Sequence, residues 1–290
     1  FYRKRCSYLP LHLSEYYDGN IYVIKGKSLL LYSEQTLDCT KTIQLEEELI
    51  SVNIARADKD ILILTSMDCI ILLNSKTLNQ IGKYVSKDLN ENNLIIQAEI
   101  PAKDQLVIVT RLSVQIFNLS TNSKEPVEYY KVNNDFITSS VFVDYNNKPY
   151  GLFALNNGKI AIQAIGYPNN DNMPSYLNYF SSLPSRLVAI YISYSEELDL
   201  FFIAAPGAST QYTSLENVFK SRPRSTYQFR SDSGMRNELC FICTYPNVNS
   251  ILLFLHPNTN FLFSLEFTNN GPEMSMIDTR KGSEGISLFD

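Results

Sequence analysis

The residues best suited to chemistry in this 290-residue chain are cations gathered late in an otherwise acidic sequence. Lys220, Arg222, Arg224 and Arg230 fall within eleven residues, with Tyr227 and Phe229 between them and Arg236 following. Guanidinium groups form forked pairs with phosphate or carboxylate, and an aromatic ring beside them offers a stacking surface for a base. Lys220, Arg222, Arg224, Tyr227 and Arg230 are therefore the candidate contacts to a partner or to phosphate. The competing interpretation is a solvated insertion with no dedicated ligand. Arg3-Lys4-Arg5 forms a second, smaller basic group that reads as a terminus.

Other reactive side chains lack the company that catalysis or metal binding requires. Cys240 and Cys243 are three apart in an apolar run, a spacing that on a regular strand places them on opposite faces. Only His12 and His256 exist to join them, and no second cysteine pair is present, so a zinc or redox centre is not expected. His256 sits in a His-Pro-Asn turn. No Gly-x-Ser-x-Gly, His-Glu-x-x-His or Gly-Lys-Ser/Thr stretch occurs. Glu46, Glu47 and Glu48 read as a solvated connection. Neither an enzyme nor a cofactor site is expected, and a hydrolase would need a convergent polar pocket in a central channel.

Composition sets the outer bounds. A net charge of −5 excludes a protein whose whole surface is a nucleic-acid footprint, while leaving room for RNA or DNA binding through the basic loop. The five scattered cysteines do not form a disulfide framework, and they read as mostly buried thiols in the nucleus or cytoplasm. No apolar stretch approaches the roughly 18 residues that cross a bilayer, so membrane insertion is not expected. A first residue of Phe rather than Met reads as a processed form or an excerpt of a longer chain.

The elements that position these residues repeat. Short apolar runs come in pairs split by four turn residues: 21–24 with 29–32, 61–64 with 69–73, 106–109 with 114–117, and 152–155 with 160–165. The last pair is divided by Asn157-Gly158, a strong hairpin signal. The runs ending at Tyr32, Leu73, Phe117 and Leu255 lead into polar turns ending in Thr36, Thr77, Thr121 and Thr259. The first three threonines are 41 and 44 residues apart, and the remaining 138 residues divide into three intervals of 46. Runs of four or five apolar residues bounded by turns are strands covered on both faces, and a period of about 40–45 residues suits stacked four-stranded sheets.

On these strand-turn-Thr units the chain resembles divergent members of the WD-repeat β-propeller superfamily. The resemblance implies an all-β fold, a β-propeller of six to seven four-stranded blades. The expected blades are 8–47, 48–88, 89–134, 135–184, 185–222 and 223–268, with 269–290 supplying closing strands. Residues 1–290 then read as a single propeller domain with an irregular insertion at about 205–237 and a helical turn at 214–220. The chain lacks Trp entirely, and with it the Trp-Asp dipeptide and the Asp-His-Ser/Thr-Trp tetrad that brace blades in that superfamily. The Phe-Arg-Arg-Gly motif of phosphoinositide-binding propellers is also missing. The resemblance implies a non-enzymatic scaffold for protein partners within an intracellular multiprotein complex.

Overall fold

A computed structural model describes residues 13–87, 89–90, 93–121, 123–132, 135–165, 175–178, 191–196, 198–204, 211–220, 227–228, 240–245, 248–255, 262–268 and 271–277. Almost all of these residues are strand, arranged in six four-stranded antiparallel sheets, each a simple meander. The first sheet holds β1 (Ser14–Tyr17), β2 (Asn20–Lys25), β3 (Ser28–Ser33) and β4 (Cys39–Gln44). The second holds β5 (Leu49–Ile54), β6 (Ile61–Ser66), β7 (Cys69–Asn74) and β8 (Gln80–Val85). In the third are β9 (Ile95–Ala102), β10 (Gln105–Thr110), β11 (Ser113–Asn118) and β12 (Glu128–Lys131). The fourth comprises β13 (Ile137–Tyr145), β14 (Lys148–Leu155), β15 (Lys159–Ala164) and β16 (Ser175–Asn178). The fifth has β17 (Tyr191–Ser195), β18 (Leu200–Ala204), β19 (Gln211–Ser214) and β20 (Tyr227–Gln228), with the helix α1 (Leu215–Phe219) between its last two strands. The sixth is β21 (Cys240–Tyr245), β22 (Val248–Leu255), β23 (Leu262–Thr268) and β24 (Gly271–Ile277).

Two compact units emerge, residues Leu9–Gly151 with Gln163–Met173 and the remainder of the chain. Within the first unit, consecutive sheets stack face to face. Tyr22, Ile24 and Leu29 of the first sheet share a core with Leu62, Leu64, Ile71 and Leu73 of the second. The opposite face of the second sheet, through Ile63, Ile70 and Leu72, packs on Ile100, Leu106, Ile108 and Phe117 of the third. The middle strands of the second and third sheets are thus covered on both faces, which is why ILILTS and QLVIVT lack the alternation of half-exposed strands. The ring of Tyr84 meets that of Phe117 edge-on at 5.6 Å on the outer side of the second core.

The turns after the third strands of the first two sheets follow one plan. Leu37 N donates to Ser33 O at 2.8 Å and Ser33 N to Asp38 O at 3.1 Å, while Leu78 N donates to Asn74 O at 2.8 Å and Asn74 N to Asn79 O at 2.9 Å. Thr36 Oγ1 accepts from Asp38 N, and Thr77 Oγ1 from Asn79 N, each at 3.3 Å. The threonine that sets the repeat is therefore a hydroxyl cap on the backbone two residues onward. In the third sheet the same role shifts, with Thr121 Oγ1 donating to Asn118 O at 3.0 Å. Thr259 lies outside the described residues.

Several boundaries differ from expectation. Tyr227 and Gln228 pair with Tyr212 and Gln211, so they close the fifth sheet instead of opening the sixth. The sixth sheet runs from Cys240 to Ile277, and its outer strand is residues 271–277. The mostly polar residues 211–214 form a strand because they pair with the apolar Leu200–Ile203 run, a tertiary effect that the local pattern does not carry. The helical turn expected at 214–220 is α1, capped by Ser214 Oγ, which accepts from Asn217 N, and anchored by buried Leu215 and Val218. The pairing of β21 with β22 has a register shift between Phe241 and Cys243. Cys69 is buried as expected for a structural thiol, but Cys39 is exposed because it lies on the edge strand β4.

Candidate functional site

Of the basic candidates, Lys220 closes α1 and its ammonium pairs with Glu216 one helical turn back. Tyr227 sits in β20 opposite Tyr212. Arg222, Arg224 and Arg230 lie outside the described residues, as do His12, His256 and the Arg3–Arg5 group. Glu47, expected in a solvated connection, instead pairs with Lys83 of β8, and that contact holds its carboxyl below the usual range. Among the described residues no group of three or more His, Cys, Asp or Glu side chains could hold a metal ion.

Charged side chains converge elsewhere, on the first strands of the sheets in the first unit. Glu99 of β9 accepts from Arg56 N at 2.9 Å, from Ile100 N at 2.8 Å and from Asn53 Nδ2 of β5 at 3.4 Å. Arg56, two residues past β5, sends its guanidinium to the fourth sheet. Its Nη2 reaches Asp144 Oδ2 at 3.0 Å and its Nη1 donates to Phe142 O at 2.8 Å. Ser140 Oγ of β13 donates to Gln97 Oε1 of β9 at 2.6 Å. One charged network thus ties the first strands of the second, third and fourth sheets.

Glu15 of β1 extends this network toward the first sheet. Burial pushes its carboxyl up to about 7 from an ordinary 4.5, and the negative charge of Glu99 adds to the rise. Lys59 and the backbone N–H groups of Tyr16 and Ile54 oppose it. Burial also raises the Glu99 carboxyl, against the backbone donors of Arg56 and Ile100 and the charges of Arg56 and Lys59. Two carboxylates that resist simultaneous ionisation are found in proton-transfer sites, but here the groups that act on the pair are Arg56, Lys59 and backbone N–H donors. Its donors are spent on joining sheets, so the arrangement acts as a brace.

A second brace replaces the tetrad that the sequence lacks. Gln115 of β11 is fully buried, and its Nε2 donates to Ser86 Oγ at 2.8 Å, to Lys87 O at 3.0 Å and to Ser113 Oγ at 3.2 Å. Its Oε1 accepts from Lys87 N at 3.0 Å, so one amide fixes the connection leaving the second sheet onto the third. Sequence reasoning missed both braces. The available signal was a polar residue in an otherwise apolar strand, as with Gln97 and Glu99 in IIQAEIPA and Gln115 in SVQIFN.

No family model and no curated protein matches the chain. Solved structures do. The Myceliophteria thermophila Cps50 (Swd1) β-propeller domain is 11% identical, with a TM-score of 0.61 over 88% of this chain and 83% of that one. The crystal structure of the mitotic checkpoint complex gives 8% identity and a TM-score of 0.61, covering 93% and 76% of the two chains. Kluyvelomyces marxianus Hsv2 gives 9% identity and a TM-score of 0.55, covering 87% and 70%. The chain is an all-β protein with the β-propeller fold, and its four-stranded sheets are the blades.

Proposed function

We propose that this chain is a non-enzymatic protein–protein interaction scaffold, a β-propeller subunit of an intracellular multiprotein complex, with residues 1–290 forming one propeller domain. The observation that carries this reading is where the polar chemistry is used. Glu99, Arg56, Asp144 and Gln115 spend their hydrogen bonds joining one blade to the next, which makes a stiff frame for the turns at the blade ends. A preformed frame lets a partner segment dock with little ordering cost on the propeller side. The Cps50 (Swd1) domain and the mitotic checkpoint complex chain, similar in fold, support a part in an assembly. Within this reading Lys220, Arg222, Arg224, Tyr227 and Arg230 are proposed contacts to acidic groups of a partner.

Affinity purification of the tagged chain from its own cells tests the proposal. The expected result is at least one protein recovered in whole-number ratio at physiological salt. Recovery of the chain alone would oppose it.

A further inference from the structure

Asn157 and Gly158 join β14 to β15, and these two residue types in this order carry a reactivity of their own. Residues 156–158 form a three-residue hairpin loop in which Gly158 N donates to Leu155 O at 3.0 Å. Gly158 alone between Leu155 and Lys159 has left-handed backbone, with φ of 84°. Asn157 is exposed, and its Oδ1 accepts from Lys159 N at 3.0 Å. A carboxamide and the backbone nitrogen that follows it thus lie side by side, each held in a hydrogen bond.

An asparagine before glycine is open to attack by the next backbone nitrogen, because glycine has no Cβ to crowd the approach. In that reaction Gly158 N bonds to Asn157 Cγ and the Cγ–Nδ2 bond breaks. The side-chain nitrogen leaves as ammonia, taking the proton that Gly158 N gives up. Water then opens the five-membered imide at either carbonyl, which leaves aspartate or isoaspartate at position 157 without any oxidation or reduction. In the folded turn Gly158 N–H is directed at Leu155 O and Asn157 Oδ1 is tied to Lys159 N, so ring closure requires both bonds to be given up.

We infer that Asn157 is a spontaneous modification site gated by opening of the β14–β15 turn, and that its isoaspartate product keeps the turn from closing again. Isoaspartate routes the main chain through the former side chain and adds one carbon to the loop. The ring closed by Gly158 N and Leu155 O is lengthened by that atom. The strands joined by this turn carry Leu152, Ala154, Leu155, Ile160 and Ala161, all buried. Misclosure of an exposed loop is thereby passed to the packing of the fourth blade. The site is independent of any partner.

The test incubates the chain in mildly alkaline buffer, native and in urea, and follows position 157 by peptide mass and by an isoaspartate-specific methyltransferase. Asn270-Gly271, the second such pair in the sequence, calibrates the rate in urea. Conversion at 157 should be at least tenfold slower in the native chain than in urea, since it waits on local opening. Chain aged in urea is then refolded and given a brief pulse of protease in intermediate urea. Molecules with isoaspartate at 157 should be cleaved at lower urea than those in the same sample with asparagine or aspartate there. Fresh Asn157→Asp, which brings the charge without the longer backbone, should melt with the wild type. Equal rates in the native and urea samples would overturn the gate. Equal cleavage of all three forms, or a loss in Asn157→Asp as large as that of the isoaspartate form, would overturn the block to closure.

Discussion

Arg56 in the second blade and Asp144 in the fourth, 88 residues apart in sequence, meet at 3.0 Å across the first strand of the third blade. The same guanidinium donates to Phe142 O, so its role is to hold a strand as well as to pair a charge. Replacing Arg56 with Lys keeps the charge but loses the fork. A loss of about 1 kcal/mol is expected in urea unfolding, because Asp144 is half exposed and its ion pair alone is weak.

Gln115 carries a larger share of stability. Gln115→Ala removes the amide that accepts from Lys87 N and donates to Lys87 O and to the buried Ser86 hydroxyl, and it leaves a gap where a fully buried side chain stood. The expected cost is about 1–3 kcal/mol by denaturant titration, the scale of losing the hydrogen bonds of one buried polar group.

The two equivalent leucines should respond in opposite directions. Leu78→Ala opens a cavity between the first and second blades and should cost about 2–5 kcal/mol. Leu37→Gly relieves left-handed strain without losing buried surface and should leave stability unchanged or raise it by up to about 1 kcal/mol. Thermal melts of the two variants side by side check this.

Glu15 makes stability depend on pH near neutrality. Its carboxyl titrates at about 7 in the folded chain and at about 4.5 when unfolded, so between those values the folded state holds the extra proton. Stability therefore falls as pH rises from about 4.5 through 7, opposite to the usual behaviour of an ion-paired carboxylate. Glu15→Gln should flatten that slope, as followed by melting temperature from pH 5 to 8, while Lys59→Gln, which removes an opposing cation, should steepen it.

The scaffold reading assigns the 220–230 stretch to protein and not to nucleic acid. Single-stranded RNA and duplex DNA should bind at 50 mM salt no more tightly than about 10⁻⁴ M, the weak end of non-specific binding. Substituting Gln for Arg222, Arg224 and Arg230 should change nothing in that assay. Tight, steeply salt-dependent binding lost in the triple variant would assign the stretch to phosphates.

The paired inner strands of the first four blades were legible because they are apolar runs set between turns of fixed chemistry. ILILTS and CIILLN fall where the repeat puts them, and Thr36 and Thr77 mark turns that share every backbone hydrogen bond. The outer edge of the fifth blade was not legible, because the short β20 exists only by pairing with β19. The braces escaped notice for a related reason. Glu99 and Gln115 look like isolated polar interruptions until the folded chain brings Arg56 and Ser86 to them, from 43 and 29 residues away in sequence. Nor does the sequence separate Leu37 from Leu78, since the distinction is burial and not residue type.

The central claim is that this propeller works as a subunit among protein partners, and the native mass of the particle containing it is the most direct measurement. Gentle purification through a tag on the chain, followed by native mass spectrometry, should give a dominant species heavier than the chain by whole numbers of partner subunits. A dominant species at the mass of the chain alone would contradict the claim.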